Sequence, residues 1–407
     1  MRNTVLLLRL CKADEKRSTQ RINFKGYFMR FVHLSDLHLG KRVNEFSMLE
    51  DQEYILTEII NIIDNQKAEA VIIAGDVYDK SIPSAEAVEL FDDFLVRLSK
   101  RDLKVFVISG NHDSAERIAF GGRLMDKSGI YMSPVYDGNV KPKTLTDEFG
   151  EINVYMLPFI KPSNVRRFYP DEEIVTYTDA VKVAVDNMNI DASKRNILVT
   201  HQFVTGATRS ESEDISVGGS DNVDAAVFED FDYVALGHIH RSQKCSSEYI
   251  RYCGTPLKYS FSEVNDQKSV TVVDINQKGD ISLQFVSLTP KHDMAEVKGT
   301  FDEVKAKGHE CGSPFCDNYM RIILTDEEDV PEAMAKLRVI YKNVMTIDYD
   351  NKRTRTDSHI NGAKDVESRS PFEHFSEFYE QQNGQPLSDE QIAFLQKIME
   401  QIWGDEQ

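Results

Sequence analysis

The chain has 407 residues, 41% hydrophobic and 28% charged, the balance of a globular protein with room for two or three domains and an ample core. Its formal net charge is -19, from 67 acidic against 48 basic side chains. That excludes a general nucleic-acid coat, but not an enzyme that meets nucleic acid at one cation-loaded cleft, because bound metals invert the local field.

Residues 1–28 are rich in Lys and Arg and lack a clear period. Met29-Arg30-Phe31-Val32-His33-Leu34 then reads as a first strand, so 1–28 is expected to be an extension and Met29 the natural start. No apolar run approaches the ~20 residues of a membrane span, and Val5-Leu6-Leu7-Leu8 is too short for a signal-peptide core. A cytoplasmic protein with no membrane contact is expected. The odd count of 5 cysteines fits reduced thiols, and Cys311 and Cys316 have no second pair to complete a zinc site.

The first strand ends in Ser35-Asp36-Leu37-His38. A polar loop leads to a helix over about 44–66. A second apolar run, 70–74, enters Gly75-Asp76, and a helix follows Pro83-Ser84 with Val88, Phe91, Leu95 and Leu98 on one face. A third run, 105–108, delivers Ser109-Gly110-Asn111-His112-Asp113. After a variable stretch near 130–150 come a strand at 152–157, a helix at 178–188 and a strand at 197–200 that delivers His201. A Gly-, Ser- and Asp-rich loop covers 206–224. A strand at 233–236 delivers Gly237-His238-Ile239-His240, and 270–286 reads as a hairpin. From about 288 a small α/β module is expected, with strands at 294–297, 320–324 and 344–347 and helices at 301–307 and 331–342. A polar linker over 351–369 precedes two helix starts, Ser370-Pro371-Phe372-Glu373 and Ser388-Asp389-Glu390-Gln391.

Apolar strands alternating with amphipathic helices indicate an α/β layered fold, with the polar clusters just past the strand ends, where such sheets bind ligands. Those clusters hold Asp36, His38, Asp76, Asn111, His201, His238 and His240. Two carboxylates, an amide and four imidazoles suit Mn²⁺ or Fe²⁺ better than Mg²⁺. One carboxylate can bridge two ions ~3.5–4 Å apart, which activate a water and clamp a phosphate for in-line attack. Each fragment alone has a bland reading: Asp-x-His is usually chance, and Gly-Asp after a strand is often only a turn. Their shared position at strand ends makes the bland reading of the set a poor one.

The order Asp36-x-His38, Gly75-Asp76, Gly110-Asn111-His112-Asp113, His201, Gly237-His238-x-His240 resembles the calcineurin-like metallophosphoesterases. Segments 33–42, 83–87, 108–117, 218–221, 233–241 and 252–260 resemble more closely the nuclease subunits of the double-strand-break repair family. The resemblance covers about 29–285 and is one of layout beyond. It implies a β-sandwich flanked by helices (29–287), a capping domain (288–350) that helps select DNA, the linker (351–369) and a helical partner-binding segment (370–407). It implies one metal on Asp36, His38, Asp76 and His240, and a second on Asp76, Asn111, His201 and His238, most simply Mn²⁺. His112 would contact the phosphate or protonate the leaving oxygen, and Asp113 would orient His112. Where archaeal and eukaryotic relatives carry a second histidine, this chain has Asp79.

The resemblance further implies an ATP-dependent 3′→5′ double-strand exonuclease that also opens DNA hairpins, in replication, recombination and repair. It implies a coiled-coil ATPase partner, SbcC, docked on the tail helices, and pairing of two copies of this chain. This sequence has no Gly-rich Walker loop, so the partner would handle ATP. Lys41, Arg42, Arg117, Arg123, Lys161, Arg166, Arg167, Arg241 and Lys258 are candidate phosphate contacts. The rival enzyme reading is a metallophosphatase acting on other phosphate esters. Lys80-Ser81 and Asp113 stand where the family's protein phosphatases carry Arg-Gly and Glu, which weighs against it. A metal-free scaffold would need lost ligands, and all seven are present.

Overall fold

A computed structural model describes residues 28–213, 221–351, 372, 375, 376, 378–380 and 386–403. In chain order the strands that build its sheets are β1 (Met29–Leu34), β2 (Ala70–Ala74), β3 (Lys104–Ile108), β4 (Ile130–Met132), β5 (Lys143–Asp147), β6 (Gly150–Leu157), β7 (Arg195–His201), β8 (Tyr233–Gly237), β9 (Gln243–Cys245), β10 (Ser247–Tyr252), β11 (Ser269–Ile275) and β12 (Ile281–Ser287). One six-stranded sheet runs β12-β11-β1-β2-β3-β4, and a second runs β9-β10-β8-β7-β6-β5. Strands β1 to β4 are mutually parallel, as are β6, β7, β8 and β10. The hairpin β11–β12 adds antiparallel to β1.

The sheets face each other. Phe31, Ile72, Phe106 and Ile108 of the first interleave with Val154, Ile197, Val199 and Ala235 of the second. Helices α1 (Leu49–Gln66) and α2 (Ala85–Ser99) cover the outer face of the first sheet, packing Ile55, Ile59, Phe91 and Leu98 on Val71, Ile73 and Val107. Helix α3 (Tyr177–Asp186) covers the second, with Ala180, Val181 and Ala184 against Leu198 and Val234. The central strands are therefore buried on both faces, which is why they read as unbroken apolar runs rather than alternating ones. Helix α2 starts where Ser84 Oγ accepts from Ala87 N at 3.3 Å.

Two polar contacts lock the sandwich. Arg195 of β7 pairs with Asp147 at 2.5 Å and also donates to the carbonyls of Asn276 and Gly150, at 2.9 and 2.7 Å. His33 Nδ1 and the Tyr233 hydroxyl, one from each sheet, lie 2.9 Å apart. Burial, helped by Arg251, pushes the His33 imidazolium from the ordinary 6.5 to about 3. Below pH 6.5 the unfolded chain takes up a proton that the folded chain refuses until about pH 3, so stability falls as pH falls through that window. At pH 5 the loss from this group is about 2 kcal/mol. His33→Gln is expected to flatten that part of the curve, read by urea unfolding between about pH 5 and 7.5. Parallel curves for the two proteins would refute it.

Beyond the sandwich, β13 (Met294–Gly299), β14 (Tyr319–Leu324) and β15 (Asn343–Tyr349) form a parallel three-stranded sheet with α4 (Phe301–Cys311) and α5 (Ala333–Arg338). It has its own core of Val297, Val304, Met320, Ile322, Leu337, Tyr341 and Val344. Buried Asp51, in the first turn of α1, ties this sheet to the sandwich by accepting from His292 N at 3.0 Å and the Tyr319 hydroxyl at 2.8 Å. Helix α6 (Asp389–Trp403) opens with the expected box: Ser388 N donates to Gln391 Oε1 at 2.9 Å, and Gln391 N to Ser388 Oγ at 3.4 Å.

Some boundaries differ from the sequence reading. The helix expected over 44–66 begins at Leu49, because a short hairpin of Arg42–Val43 and Phe46–Ser47 takes up the preceding residues. The variable stretch near 130–150 holds two edge strands, β4 and β5. The helix expected over 331–342 is confined to Ala333–Arg338. The extension up to residue 27, the linker over 352–369, most of the first tail helix start and Gly218 to Ser220 lie outside the described residues. No helix among the described residues is long and apolar enough to cross a membrane.

Candidate metal centre

Parallel strands end on the same side, so β1, β2 and β3 bring their polar turns together, and β7 and β8 bring theirs opposite. The two sets are stitched across the sandwich. His238 N donates to Asp36 Oδ1 at 2.9 Å, and His201 Nδ1 lies 2.9 Å from the Ala74 carbonyl oxygen. Within the first sheet, His112 N donates to Asp76 Oδ1 at 2.9 Å. All seven expected donors meet in this one place.

The turns are tight. Asp36, His38, Asp76 and His238 take φ of 52°, 45°, 48° and 105°. Side chains seldom occupy that left-handed region, at a cost of roughly 1–3 kcal/mol each, and such strain gathers at functional sites. Gly110 admits the close approach: a Cβ there would sit 2.1 Å from Asp76 Oδ1.

The donors converge. His38 Nε2 and His240 Nε2 lie 3.1 Å apart. His201 Nε2 and His238 Nδ1 each lie 2.9 Å from Asn111 Oδ1. Asp76 Oδ2 stands between the groups, 3.3 Å from His201 Nε2 and 3.7 Å from His38 Nε2. Asp36, His38 and His240 can offer ligand atoms all within 4.8 Å of one another, and so can Asp36, Asp76 and His201, and His38, Asp76 and His112. Six of the seven donors are buried and Asn111 is half-buried.

The electrostatics suit a cation. Burial, with Asp76 adding to it, pushes Asp36 up to about 7 despite His201. Burial also holds His38, His238 and His240 well below the usual imidazole range, leaving neutral rings with free lone pairs. Against that same burial, Asp76 pushes His201 up to about 9. Asp36 Oδ2 is buried with no hydrogen-bond partner. An orphaned carboxylate oxygen among neutral imidazoles and a second carboxylate fits divalent metal ions, whose binding displaces protons such as that on His201.

Around the donors lies a second layer. Asp113 belongs to this layer. Its two oxygens accept from Val77 N, Tyr78 N and Gly110 N at 3.1, 2.9 and 2.9 Å, clamping the turn after β2 to the turn after β3. The His112 ring lies with Nδ1 3.2 Å from the Asp79 carbonyl oxygen. The Asp79 carboxylate accepts from Lys41 Nζ at 2.7 Å and stands 3.8 Å from His38 Nδ1. Lys41, Arg241 and Lys258, expected as phosphate contacts, are engaged in ion pairs with Asp79, Asp266 and Asp293. Sequence reading missed Arg209, which donates to both Asp221 oxygens at 2.6 Å and lies 3.8 Å over the Phe203 ring. It also missed Ser212, Glu213, Glu263 and Lys268 beside His240. Nothing in the spacing of these residues announces a shared site.

A two-sheet sandwich with these donors at its strand ends defines a class, the calcineurin-like phosphoesterases, and the model of that family matches residues 29–242. A second family model, described as the type 5 capsule protein repressor C-terminal domain, matches residues 290–383. The chain is 33% identical over 323 residues to the SbcD subunit of the SbcCD nuclease of Staphylococcus epidermidis, covering 78% of this chain and 85% of that one. It is 31% identical over 376 residues to the SbcD subunit of Staphylococcus saprophyticus, covering 91% and 98%. A crystal structure of a dimetal phosphatase from Danio rerio is similar over 64% of this chain and 96% of that one, at 9% identity and a TM-score of 0.39. The chain belongs to the family of SbcD nuclease subunits.

Proposed function

We propose that this chain is the nuclease subunit of an SbcCD-like complex and hydrolyses DNA phosphodiesters with two divalent metal ions. The observation that carries this is the position of Asp76 Oδ2 between two donor groups, 3.3 Å from His201 Nε2 and 3.7 Å from His38 Nε2. Asp36, His38, Asp76 and His240 would hold one ion, and Asp76, Asn111, His201 and His238 the other. Mn²⁺ suits this mixture of imidazole and oxygen donors. When bound, the ions supply an activated water and neutralise charge on the phosphate.

The chain's own side chains do the rest. His112, one-fifth exposed and with Nε2 3.9 Å from Asp76 Oδ2, borders the site from its open side. With Nδ1–H donating to the Asp79 carbonyl, the doubly protonated ring would give its Nε2 proton to the leaving oxygen and finish as the neutral Nδ1–H tautomer. Asp113 keeps the two ligand turns in register.

The finer activity is an ATP-dependent 3′→5′ double-strand exonuclease that also opens hairpins, with ATP handled by the SbcC partner. The test is Mn²⁺-dependent cleavage of a labelled hairpin-ended duplex, with SbcC and ATP present or omitted. Cleavage that needs both is the expected result. No cleavage by the metal-loaded complex, alongside turnover of a simple phosphate ester, would return the chain to the metallophosphatase reading. Helix α6 supports docking on SbcC: Met399 is buried, while Phe394 is 65% exposed. Deleting residues 386–407 is expected to weaken recovery of SbcC in a pull-down without changing metal content, and unchanged recovery would remove that role.

A further inference from the structure

The far nitrogen of His240 is met by half-buried Ser212 and, behind it, by buried Glu263 and Lys268. His240 Nδ1 lies 2.6 Å from Ser212 Oγ, and Ser212 Oγ lies 2.5 Å from Glu263 Oε1. The other oxygen of Glu263 accepts from Lys268 Nζ at 2.5 Å. Lys268 donates its two remaining hydrogens to the His240 carbonyl at 2.9 Å and to Thr255 Oγ1 at 2.8 Å. Glu263 is fully buried and Lys268 is 6% exposed. Glu213 Oε1 accepts from His240 N at 2.6 Å.

These contacts set the hydrogens along the line, and Ser210 Oγ, 2.8 Å from Ser212 Oγ, can donate to that oxygen's remaining lone pair. An ammonium has donors only, so Glu263 accepts from Lys268. Paired in this way, Glu263 is a carboxylate, which accepts again from the Ser212 hydroxyl. The hydroxyl has then spent its one hydrogen, so its oxygen must accept from His240 Nδ1–H. His240 Nε2 is left with its lone pair, facing His38 Nε2 at 3.1 Å.

We propose that Lys268, Glu263 and Ser212 form a positioning relay that holds His240 in the Nδ1–H tautomer and thereby sets the affinity of the ion shared by Asp36, His38 and His240. The relay rests on the metal assignment above. Such outer partners of ligating histidines typically govern metal affinity by ~10–100-fold.

Two measurements on the full chain test it. Nitrogen NMR of metal-free protein, with His240→Gln used to assign the signal, should show His240 protonated at Nδ1 in wild type and a mixture of tautomers in Ser212→Ala. An Nε2–H tautomer in wild type overturns the proposal. Calorimetric titration with Mn²⁺ should show two ions in wild type. Ser212→Ala should bind one of them as wild type does and the other ~10–100-fold more weakly, with Ser212→Thr restoring it. Wild-type affinity for both ions in Ser212→Ala, or a folded Ser212→Thr that fails to restore binding, overturns the relay. A wild type that binds no Mn²⁺ removes the metal assignment itself, and the relay with it.

Discussion

Gly110→Ala is expected to empty the metal centre and to lower activity by about 10²-fold or more, the scale of a misplacement near 1 Å. The added Cβ would lie 2.1 Å from Asp76 Oδ1 and 2.4 Å from Asp76 N. Neither atom has room to yield. The carboxylate is held from behind by His112 N, and the backbone next to it by the Asp113 clamp on Val77 and Tyr78. The Asp113 clamp also ends on Gly110 N, so the strain reaches both ligand turns at once. Because Asp76 would serve both ions, both should be lost together. Elemental analysis should show metal falling from two ions per chain towards none. A variant that keeps two ions and wild-type turnover would show that Asp76 does not bridge.

His112→Gln is expected to lower the cleavage rate by ~10²–10⁴-fold, the usual worth of a general acid, while both ions stay bound. Glutamine approximates the volume and polarity of the ring but carries no transferable proton. The ring is partly exposed and its Nδ1 is tied to the Asp79 carbonyl, so the proposed proton transfer falls to Nε2 of the doubly protonated ring. Single-turnover cleavage at matched metal content reads the effect. A phosphate ester with a good leaving group should recover much of the lost rate, because that oxygen needs no proton. Equal losses on both substrates, or loss of metal from the variant, would make His112 a ligand or a binding group instead.

The parts of the fold legible in the sequence were those that the core writes in full. Strands β1, β2, β3, β7 and β8 are buried on both faces and announce themselves as apolar runs, each followed by polar residues that converge in the folded chain. Edge strands β4, β5 and β9 were not legible, because an edge needs few apolar residues and β4 and β9 are only three residues long. Nor does any run of residues state that β1 to β4 lie in one sheet and β6 to β8 in the other; that order is set by packing. The donors could be found because their chemistry is concentrated at strand ends. Their supports could not. Asp113 follows His112 in sequence, which suggested a partnership, but the turn aims its carboxylate at Val77 and Tyr78. Glu263 and Lys268 sit beyond the last donor and meet it only through the folded chain.

The left-handed turns at Asp36, His38, Asp76 and His238 bear on how this chain can change over generations. Most proteins lose stability when a buried polar residue is replaced. Here glycine would relieve the backbone at each of the four positions, although at Asp36 and Asp76 it would also strip the acceptor from His238 N and His112 N. At His38 and His238, drift would therefore run towards less strained turns that lack those imidazoles. Only continued use of the centre opposes that drift, so a lineage in which the chemistry fell idle would shed these residues early, long before its sandwich core began to erode.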